Sequence, residues 1–258
     1  MSKFSDLLYA SRKDPKKALK VASIKALSVA GNKDYEKFII LTKARSGSNL
    51  LVSFLNSHPN VYCEGEVFWK LEGRPYEQIL EKSLGKQPWY VKAKGFKIFY
   101  FHPLDAEECG VWNDLEAMKD LKVIHLQRKN ILKSLISMKI ALQSEEWMST
   151  HNNKNKPPRK AVHIPETELR DLLEKTDDRI EKGNELFKDH QMINVFYEDF
   201  VSDTEEYFRI LDFIGVKRIA PRTVLERQNP ESMYQLVENY AELKSAFADT
   251  KWAHMFVD

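Results

Sequence analysis

Residues 36–49, EKFIILTKARSGSN, decide the fold of this chain. The first seven, EKFIILT, form a short apolar run rich in β-branched residues, which predicts a buried strand. The small polar stretch KARSGSN follows it and leads into LLVSFLNSH, which predicts a helix. A strand, a tight loop and a helix in this order form the opening unit of an α/β fold.

Three more apolar runs predict strands, at residues 95–101 (GFKIFYF), 121–126 (LKVIHL) and 193–197 (INVFY). Helical patterns lie between or after them, at about 130–147, 165–188 and 204–214. Short buried strands that alternate with long helices predict an α/β fold with a mostly parallel sheet flanked by helices. The chain shows no internal repeat and no linker, so we expect a single domain over residues 1–258.

The composition is that of a folded globular protein, with 43% hydrophobic and 30% charged residues among 258. Forty basic against 38 acidic residues leave a net charge of +2, which does not favour a dedicated nucleic-acid-binding protein. Cys63 and Cys109 have no Cys or His partner at metal-ligand spacing and predict free thiols in a reducing compartment. No apolar run reaches the roughly 18 residues of a membrane-spanning helix, so we expect a cytoplasmic protein without stable membrane insertion.

Two segments carry an excess of positive charge. Residues 1–33 hold eight Lys and Arg residues against two Asp residues, a net charge of +6, within a predicted basic helical extension over residues 1–35. We interpret this extension as a packing helix, with contact to an anionic surface or a partner as the alternative. Residues 149–163 contain four Lys and Arg residues and no acid, and they predict either a solvated loop or a lid over an acceptor.

The loop after the first strand has the features of an anion site. Ligands of a parallel sheet bind beyond the carboxyl ends of its strands, and this loop also opens a helix whose first N–H groups are unpaired. Ser46, Gly47 and Ser48 allow close approach of the backbone and add hydroxyl groups, and Arg45 adds a guanidinium group. The Walker pattern G-x-x-x-x-G-K-[ST] is absent. The alternative is an ordinary Ser-capped helix with a surface Arg.

A second candidate anion site follows the third predicted strand. Arg128 follows this strand after a single polar residue, Gln127. Ser137 lies nine residues later on the next helix. Taken alone, the pattern also fits Asn130 as a helix cap beside solvated cations. Two such sites at one edge of the sheet favour a ligand with two phosphate groups.

These residues resemble the sulfotransferase superfamily, especially its bacterial carbohydrate-type and small-molecule-type branches. The stretch FIILTKARSGSNLL, followed by LNSHPNV and GEVF, is similar to the family's 5′-phosphosulfate loop, and VIHLQRKNILKSLIS is similar to its 3′-phosphate motif. VFYEDF, FIGV and ENYAEL also match family features, so the resemblance spans roughly residues 38–245. It implies a P-loop-NTPase-like fold and an enzyme that moves the sulfuryl group of 3′-phosphoadenosine 5′-phosphosulfate (PAPS) to a hydroxyl group.

The resemblance also implies a role for each matching residue. The 5′-phosphosulfate would be held by Arg45, Ser46, Gly47, Ser48 and Asn49. The 3′-phosphate would be held by Arg128 and Ser137. Many eukaryotic members carry Lys at the position of Arg45, whereas the bacterial branches often carry Arg. Arg45 would neutralise the growing charge of the leaving phosphate, so that no metal ion is required.

An acceptor hydroxyl group must lose its proton, so a general base is needed. Glu66 in CEGEVF is the first candidate, because related bacterial sulfotransferases place a glutamate base after the first helix. Glu64 is the second, and in an extended segment both carboxylates would point the same way. His102 is the third, with a structural histidine as the alternative. Lys97, inside the apolar strand GFKIFYF, is either an edge residue or aimed at the bound anion.

Glu198 and Asp199 follow the fourth predicted strand and resemble a pair of magnesium-binding carboxylates. We interpret them as a cap for the following turn or as partners of a loop Arg.

Two alternatives to a sulfotransferase stay open. A P-loop kinase should carry G-K-[ST] after the first strand, which this chain lacks. A catalytically silent protein would bind the same nucleotide without turnover. The acceptor, a hydroxyl-bearing glycan or small molecule, and the oligomeric state are left open by the sequence.

Overall fold

The computed structural model describes residues 15–144, 161–223 and 232–256. Residues 1–14 of the predicted basic extension and residues 149–160 of the predicted lid lie outside the described part.

Five strands in the described part form one sheet in the order β2-β3-β1-β4-β5, and every neighbouring pair is parallel. Their bounds are β1 Glu36–Thr42, β2 Val61–Glu66, β3 Ala93–Phe99, β4 Lys122–Gln127 and β5 Met192–Phe196. The predicted α/β fold with a parallel sheet is confirmed, and the first strand has the predicted bounds. Because β1 lies between β3 and β4, the loops that follow these three strands meet at one edge of the sheet.

The sequence patterns missed β2. Its residues, VYCEGE, are half polar and include a glycine, so they lack the apolar run of the other strands. β2 lies at the edge of the sheet, where one side of the strand stays unpaired and polar residues are common. Its pairing with β3 shifts register between Glu64 and Glu66, which makes Gly65 the extra residue of a bulge.

The described helices cover both faces of the sheet. Their bounds are α1 Pro15–Leu27, α2 Ser48–Ser57, α3 Tyr76–Ser83, α4 Val111–Ala117, α5 Ile131–Ser144, α6 Glu166–Leu186, α7 Tyr197–Ser202, α8 Thr204–Phe213, α9 Met233–Leu236 and α10 Tyr240–Ala246. The helices predicted near 130–147, 165–188 and 204–214 correspond to α5, α6 and α8. Asp203 fixes the start of α8, because its carboxylate accepts a hydrogen bond from the Glu205 N–H at 2.8 Å.

The central strand β1 is buried on both faces, which explains its continuous apolar sequence. Phe38 and Ile40 pack in one hydrophobic cluster with α2 and α8, on what we call the α2 face. Ile39 and Leu41 pack in another cluster with α3 and α4, on what we call the α3 face. A third cluster joins α5, α6, α9 and α10.

The described part of the predicted basic extension forms α1, which Lys20 anchors to the domain. The Lys20 Nζ donates hydrogen bonds to the carbonyl oxygens of Asn56, His58 and Val61, at 2.9, 2.6 and 2.6 Å. Carbonyl groups at the end of a helix lack partners within that helix, and Lys20 supplies one for the last turn of α2. This contact agrees with the packing interpretation. Within the described residues, no helix combines the length and apolar character needed to cross a membrane.

Candidate active site

The loop between β1 and α2 holds two residues in the left-handed region of backbone space. Arg45 has a φ of 65° and Gly47 has a φ of 89°. Glycine adopts this conformation freely, whereas another residue pays about 1–2 kcal/mol for it. The tight turn brings the loop back over the end of β1 and starts α2 at Ser48. Ser48 is buried, and the next residue, Asn49, is exposed.

Side-chain hydrogen bonds of Ser46 and Thr42 hold this turn against the ends of β1 and β4. The Ser46 Oγ donates to the Lys43 carbonyl oxygen at 2.9 Å and lies 2.6 Å from the Thr42 Oγ1. The Thr42 hydroxyl in turn donates to the Leu126 carbonyl oxygen of β4 at 2.6 Å. Ser46 is fully buried, so its hydroxyl group serves the loop itself. The predicted contact of Ser46 with a ligand would therefore fall to its backbone N–H group.

Tyr197 connects the two predicted anion sites, and the sequence analysis assigned it no role. A Cβ atom added at Gly47 would lie 2.1 Å from the Tyr197 ring, so glycine is needed for this close approach. The Arg128 guanidinium carbon lies 4.0 Å from the centre of the same ring, in a cation–π contact. Tyr197 begins α7 directly after β5, and its position at the carboxyl end of a strand is the signal that could have identified it.

Arg45 and Ser137, which the sequence analysis assigned to different phosphates, contact each other. The Arg45 Nε and Nη2 both donate to the Ser137 Oγ, at 3.0 and 2.8 Å. Ser137 lies on α5 and is nearly buried. The two predicted anion sites are therefore adjacent, and both lie at the carboxyl edge of the sheet.

Additional positive charge surrounds this edge. The Lys43 Nζ lies 3.4 Å from the Thr176 Oγ1 of α6, and the Arg179 guanidinium group lies over the Phe101 ring. Burial, helped by the charges of Arg179 and Arg128, lowers the pKa of Lys43 to about 7. Neither Lys43 nor Arg179 forms an ion pair with a carboxylate in the part of the chain that the structure describes. This excess of positive charge suits an anionic ligand.

Glu66, the first candidate base, lies beside the predicted donor loop. Its Oε1 is 2.7 Å from the Nζ of Lys97, a residue of β3 that is only 3% exposed. The same Nζ donates to the Asn49 Oδ1 at 2.5 Å. Lys97 therefore joins Glu66 to the first turn of α2. Of the two interpretations of Lys97, the structure places its ammonium group among site residues rather than at an edge in solvent.

Glu64 lies on the opposite face of the sheet, so the expectation that the two carboxylates point the same way is wrong. The bulge at Gly65 is the reason, because it pairs Glu64 with Phe96 and Glu66 with Lys97. Phe96 and Lys97 are consecutive in β3, and consecutive side chains of a strand face opposite sides. Glu64 accordingly lies 3.4 Å from the Nζ of Lys94 on the α3 face.

His102 is poorly suited to accept a proton near neutral pH. Burial is the main cause that lowers its pKa to about 4, and the nearby charge of Lys97 acts in the same direction. The His102 Nδ1 accepts a hydrogen bond from the Phe99 N–H at 3.2 Å, so the proton of the neutral ring lies on Nε2. The ring packs among Phe99, Phe101 and Trp69. These contacts favour the structural alternative for this histidine.

Glu198 and Asp199 both bind Lys129. The Glu198 carboxylate accepts from the Lys129 N–H at 3.0 Å, and the Lys129 Nζ donates to the Asp199 carboxylate. Asp199 is thus the partner of a loop cation, which is lysine rather than the expected arginine, and Glu198 binds the backbone N–H group of the same residue. A search of the described residues finds no cluster of three or more potential metal ligands.

Comparisons with known proteins place this chain among sequence relatives of similar length. No protein-family model matches the chain. It is 28% identical to nodulation protein H of Rhizobium tropici over 236 residues, which cover 86% of this chain and 93% of that protein. It is also 28% identical to nodulation protein H of Rhizobium meliloti over 235 residues, which cover 85% and 94%. The similarity therefore extends well beyond the two short motifs around Arg45 and Arg128.

A search of solved structures finds the crystal structure of a sulfotransferase from Alicyclobacillus acidocaldarius. The match has 17% sequence identity and covers 82% of this chain and 90% of that chain. Its TM-score is 0.43.

Proposed function

We infer that the chain is a sulfotransferase, an enzyme that transfers a sulfuryl group, and we propose that PAPS is its donor and a hydroxyl group of a glycan or small molecule its acceptor. The observation that carries the proposal is the contact between Arg45 and Ser137. It joins the two motifs that resemble a 5′-phosphosulfate loop and a 3′-phosphate site. The similarity to nodulation protein H covers most of the chain and supports the assignment as a sulfotransferase.

The donor would lie across the carboxyl edge of the sheet. Arg45, the backbone N–H groups that follow it and Asn49 would hold the 5′-phosphosulfate. Arg128 and Ser137 would hold the 3′-phosphate, with Tyr197 keeping the Arg128 guanidinium group in place through its ring. An arriving phosphate would compete with the Ser137 Oγ for the N–H groups of Arg45. The charge of the site fits this ligand, which carries several negative charges.

The transfer is an in-line displacement at sulfur. The acceptor oxygen forms a bond to sulfur while the bond between sulfur and the 5′-phosphate oxygen breaks. The acceptor proton passes to the Glu66 carboxylate, and the phosphate leaves as 3′-phosphoadenosine 5′-phosphate (PAP). Arg45 and the loop N–H groups neutralise the charge that grows on the leaving phosphate. The products are a sulfate ester and PAP.

Several broader features belong to the same proposal and rest on the sequence. They are the single-domain organisation over residues 1–258, the cytoplasmic location and the absence of a nucleic-acid partner. No observation favours the kinase alternative, because Glu198 and Asp199 are bound to Lys129.

Nucleotide binding provides a direct test of the donor assignment. PAP at 100 times its Kd should raise the melting temperature by about 5–10 °C, whereas ATP with Mg²⁺ and AMP should raise it much less. Arg128→Ala should weaken PAP by about 10–100-fold and leave AMP almost unaffected, because AMP lacks the 3′-phosphate. The measurement is a thermal melt with each ligand, supported by calorimetric titration. Equal shifts with PAP and ATP, or an unchanged preference for PAP in Arg128→Ala, would contradict the assignment.

The pH dependence of PAP binding should report on Lys43. With a pKa of about 7 in the free protein, Lys43 is charged below pH 7 and largely neutral above pH 8. A bound phosphate favours the charged form, so binding above pH 7 takes up a proton. The affinity for PAP should therefore fall by up to about tenfold per pH unit between pH 7.5 and 9.

Calorimetry in buffers of different ionisation heat measures this proton uptake. Lys43→Met should remove the uptake and flatten the pH dependence. Lys94→Met, which changes a buried lysine on the α3 face, should keep both. The same slope in the wild type and in Lys43→Met would show that Lys43 does not face the nucleotide.

A further inference from the structure

We propose that Lys97 is the positioning residue for Glu66, and that it couples this carboxylate to the donor-binding turn through Asn49. The inference rests on the proposed function, in which Glu66 accepts the acceptor's proton. It assigns to Lys97 a role that involves no contact with the reacting atoms.

The burial of Lys97 requires an explanation. It lies in the interior of β3 between Phe96 and Ile98, which are fully buried, and it is itself only 3% exposed. A buried ammonium group is costly unless oxygen atoms replace its water shell. Lys97 has two such partners, the Glu66 Oε1 at 2.7 Å and the Asn49 Oδ1 at 2.5 Å. Both partners belong to the candidate active site, so the ammonium group joins three elements, β2, β3 and α2.

The bulge in β2 brings Glu66 to this ammonium group. Without the extra residue, the side chain at position 66 would face the same side of the sheet as Glu64. With it, Glu66 pairs with Lys97 and lies on the α2 face, close to the donor loop. A Cβ atom at Gly65 would contact nothing within 4 Å, so the bulge lies in open space. Bulges are common next to active sites, where they redirect a side chain, and this one turns Glu66 toward a buried cation.

The contact has two consequences for a base. First, a carboxylate held at 2.7 Å by a fixed cation has little freedom to rotate away from an acceptor hydroxyl group. Second, the Glu66 side chain stays 30% exposed in this ion pair, so an acceptor can reach it. Because Lys97 also binds Asn49, a movement of the donor loop is transmitted to Glu66 through the Lys97 side chain.

The pair of Lys94 and Glu64 is a matched control within the same chain. Lys94 is buried to the same degree as Lys97, lies three residues earlier in β3, and pairs with a glutamate of β2. Its pair lies on the α3 face and the Lys94 Nζ also donates to the Lys82 carbonyl oxygen. A change at Lys94 therefore tests the effect of losing a buried lysine of β3 without touching the site.

The experiment compares Lys97→Met, Lys97→Gln and Lys94→Met with the wild type. The assay measures transfer from sulfur-35-labelled PAPS to whichever member of a panel of alcohols, phenols and saccharides the wild type uses best. We expect kcat to fall about 10–100-fold in Lys97→Met, with PAP affinity changed far less. The KM for the acceptor should change far less than kcat, because Lys97 holds the base and does not bind the acceptor itself. Lys94→Met should show no such loss of kcat.

Lys97→Gln keeps the proposal testable if the methionine variant does not fold, because glutamine retains an N–H donor but no charge. It should show a smaller loss of kcat than Lys97→Met, again with PAP affinity changed far less.

Two outcomes would overturn the inference. If Lys97→Met turns over like the wild type, or loses no more activity than Lys94→Met, Lys97 does not position the base, and the sulfotransferase proposal is untouched. If the wild type transfers no label to any acceptor, the proposed function fails and this inference fails with it.

Discussion

Replacing Glu66 with glutamine is expected to lower turnover by about 100-fold to 10,000-fold, the usual range for loss of a general base. Glutamine has nearly the same shape as glutamate and can still accept a hydrogen bond from Lys97, so the site should keep its structure. It cannot take a proton from the acceptor. The affinity for PAP should stay nearly unchanged, because the proposed contacts of the donor phosphates involve other residues. Steady-state transfer of labelled sulfate, together with calorimetric titration of PAP, measures both quantities.

Glu64→Gln is the control for this prediction. Glu64 lies two residues away but on the opposite face of the sheet, where it pairs with Lys94. Its replacement should leave turnover within about threefold of the wild type, because glutamine keeps an oxygen atom for Lys94 and the pair lies away from the donor loop. If Glu64→Gln abolishes turnover and Glu66→Gln does not, the general base lies on the α3 face and the assignment of Glu66 is wrong.

Replacing Arg45 with alanine is expected to lower turnover by about 100-fold to 1,000-fold and to weaken PAP binding as well. Arg45 is the fixed cation of the loop and lies at the junction of the two predicted phosphate sites, where it binds Ser137. Its contribution should grow as the bond between sulfur and the phosphate breaks, because charge accumulates on the phosphate at that point. The loss of turnover should therefore persist under saturating PAPS, where weaker binding alone would cause no loss.

Two variants control for this interpretation. Arg45→Lys retains the charge and should recover a large part of the lost turnover, although lysine lacks the forked donor set of arginine. Arg218→Ala removes one positive charge from the surface, where Arg218 binds Asp212 and Glu205, and should have no effect. If Arg45→Ala saturates with PAPS and then turns over like the wild type, Arg45 serves binding alone.

Local sequence patterns predicted the features of this fold that depend on neighbouring residues. Residues 38–41 of the run 36–42 are all apolar because β1 is buried on both faces there, and the strand has the predicted bounds. The loop and helix after it follow from small residues and spacing in one short stretch. The positions of Arg45 and Arg128 after two strands predicted that the two candidate sites lie at one edge of the sheet, and the structure brings Arg45 and Ser137 together there.

The strand β2 and its bulge could not be predicted from the sequence alone. VYCEGE carries no apolar run, because an edge strand needs fewer buried positions. The register of a bulge depends on the partner strand, and that strand lies about thirty residues further along the chain. For this reason the sequence could name Glu64 and Glu66 as candidates but could not predict that they face opposite sides of the sheet.

The contacts of Tyr197 and Lys97 depend on distant parts of the chain in the same way. Tyr197 reaches Gly47 across the sheet, and the glycine was expected to allow the approach of a phosphate rather than of a ring. The position of Lys97 in an apolar strand was a visible signal, because a lysine there must find a partner. Which partner it finds depends on the register of β2 and the start of α2.

Transfer of a sulfuryl group from PAPS by this chain can be measured directly. The full chain is incubated with sulfur-35-labelled PAPS, EDTA and a panel of hydroxyl-bearing acceptors, and the labelled products and the released PAP are quantified. We expect a labelled sulfate ester formed in equal amount with PAP, and loss of that product in Glu66→Gln. Binding of PAP without any labelled product would show a silent nucleotide-binding protein. Labelling of the acceptors from γ-phosphate-labelled ATP with Mg²⁺ would show a kinase, and either result would contradict sulfuryl transfer by this chain.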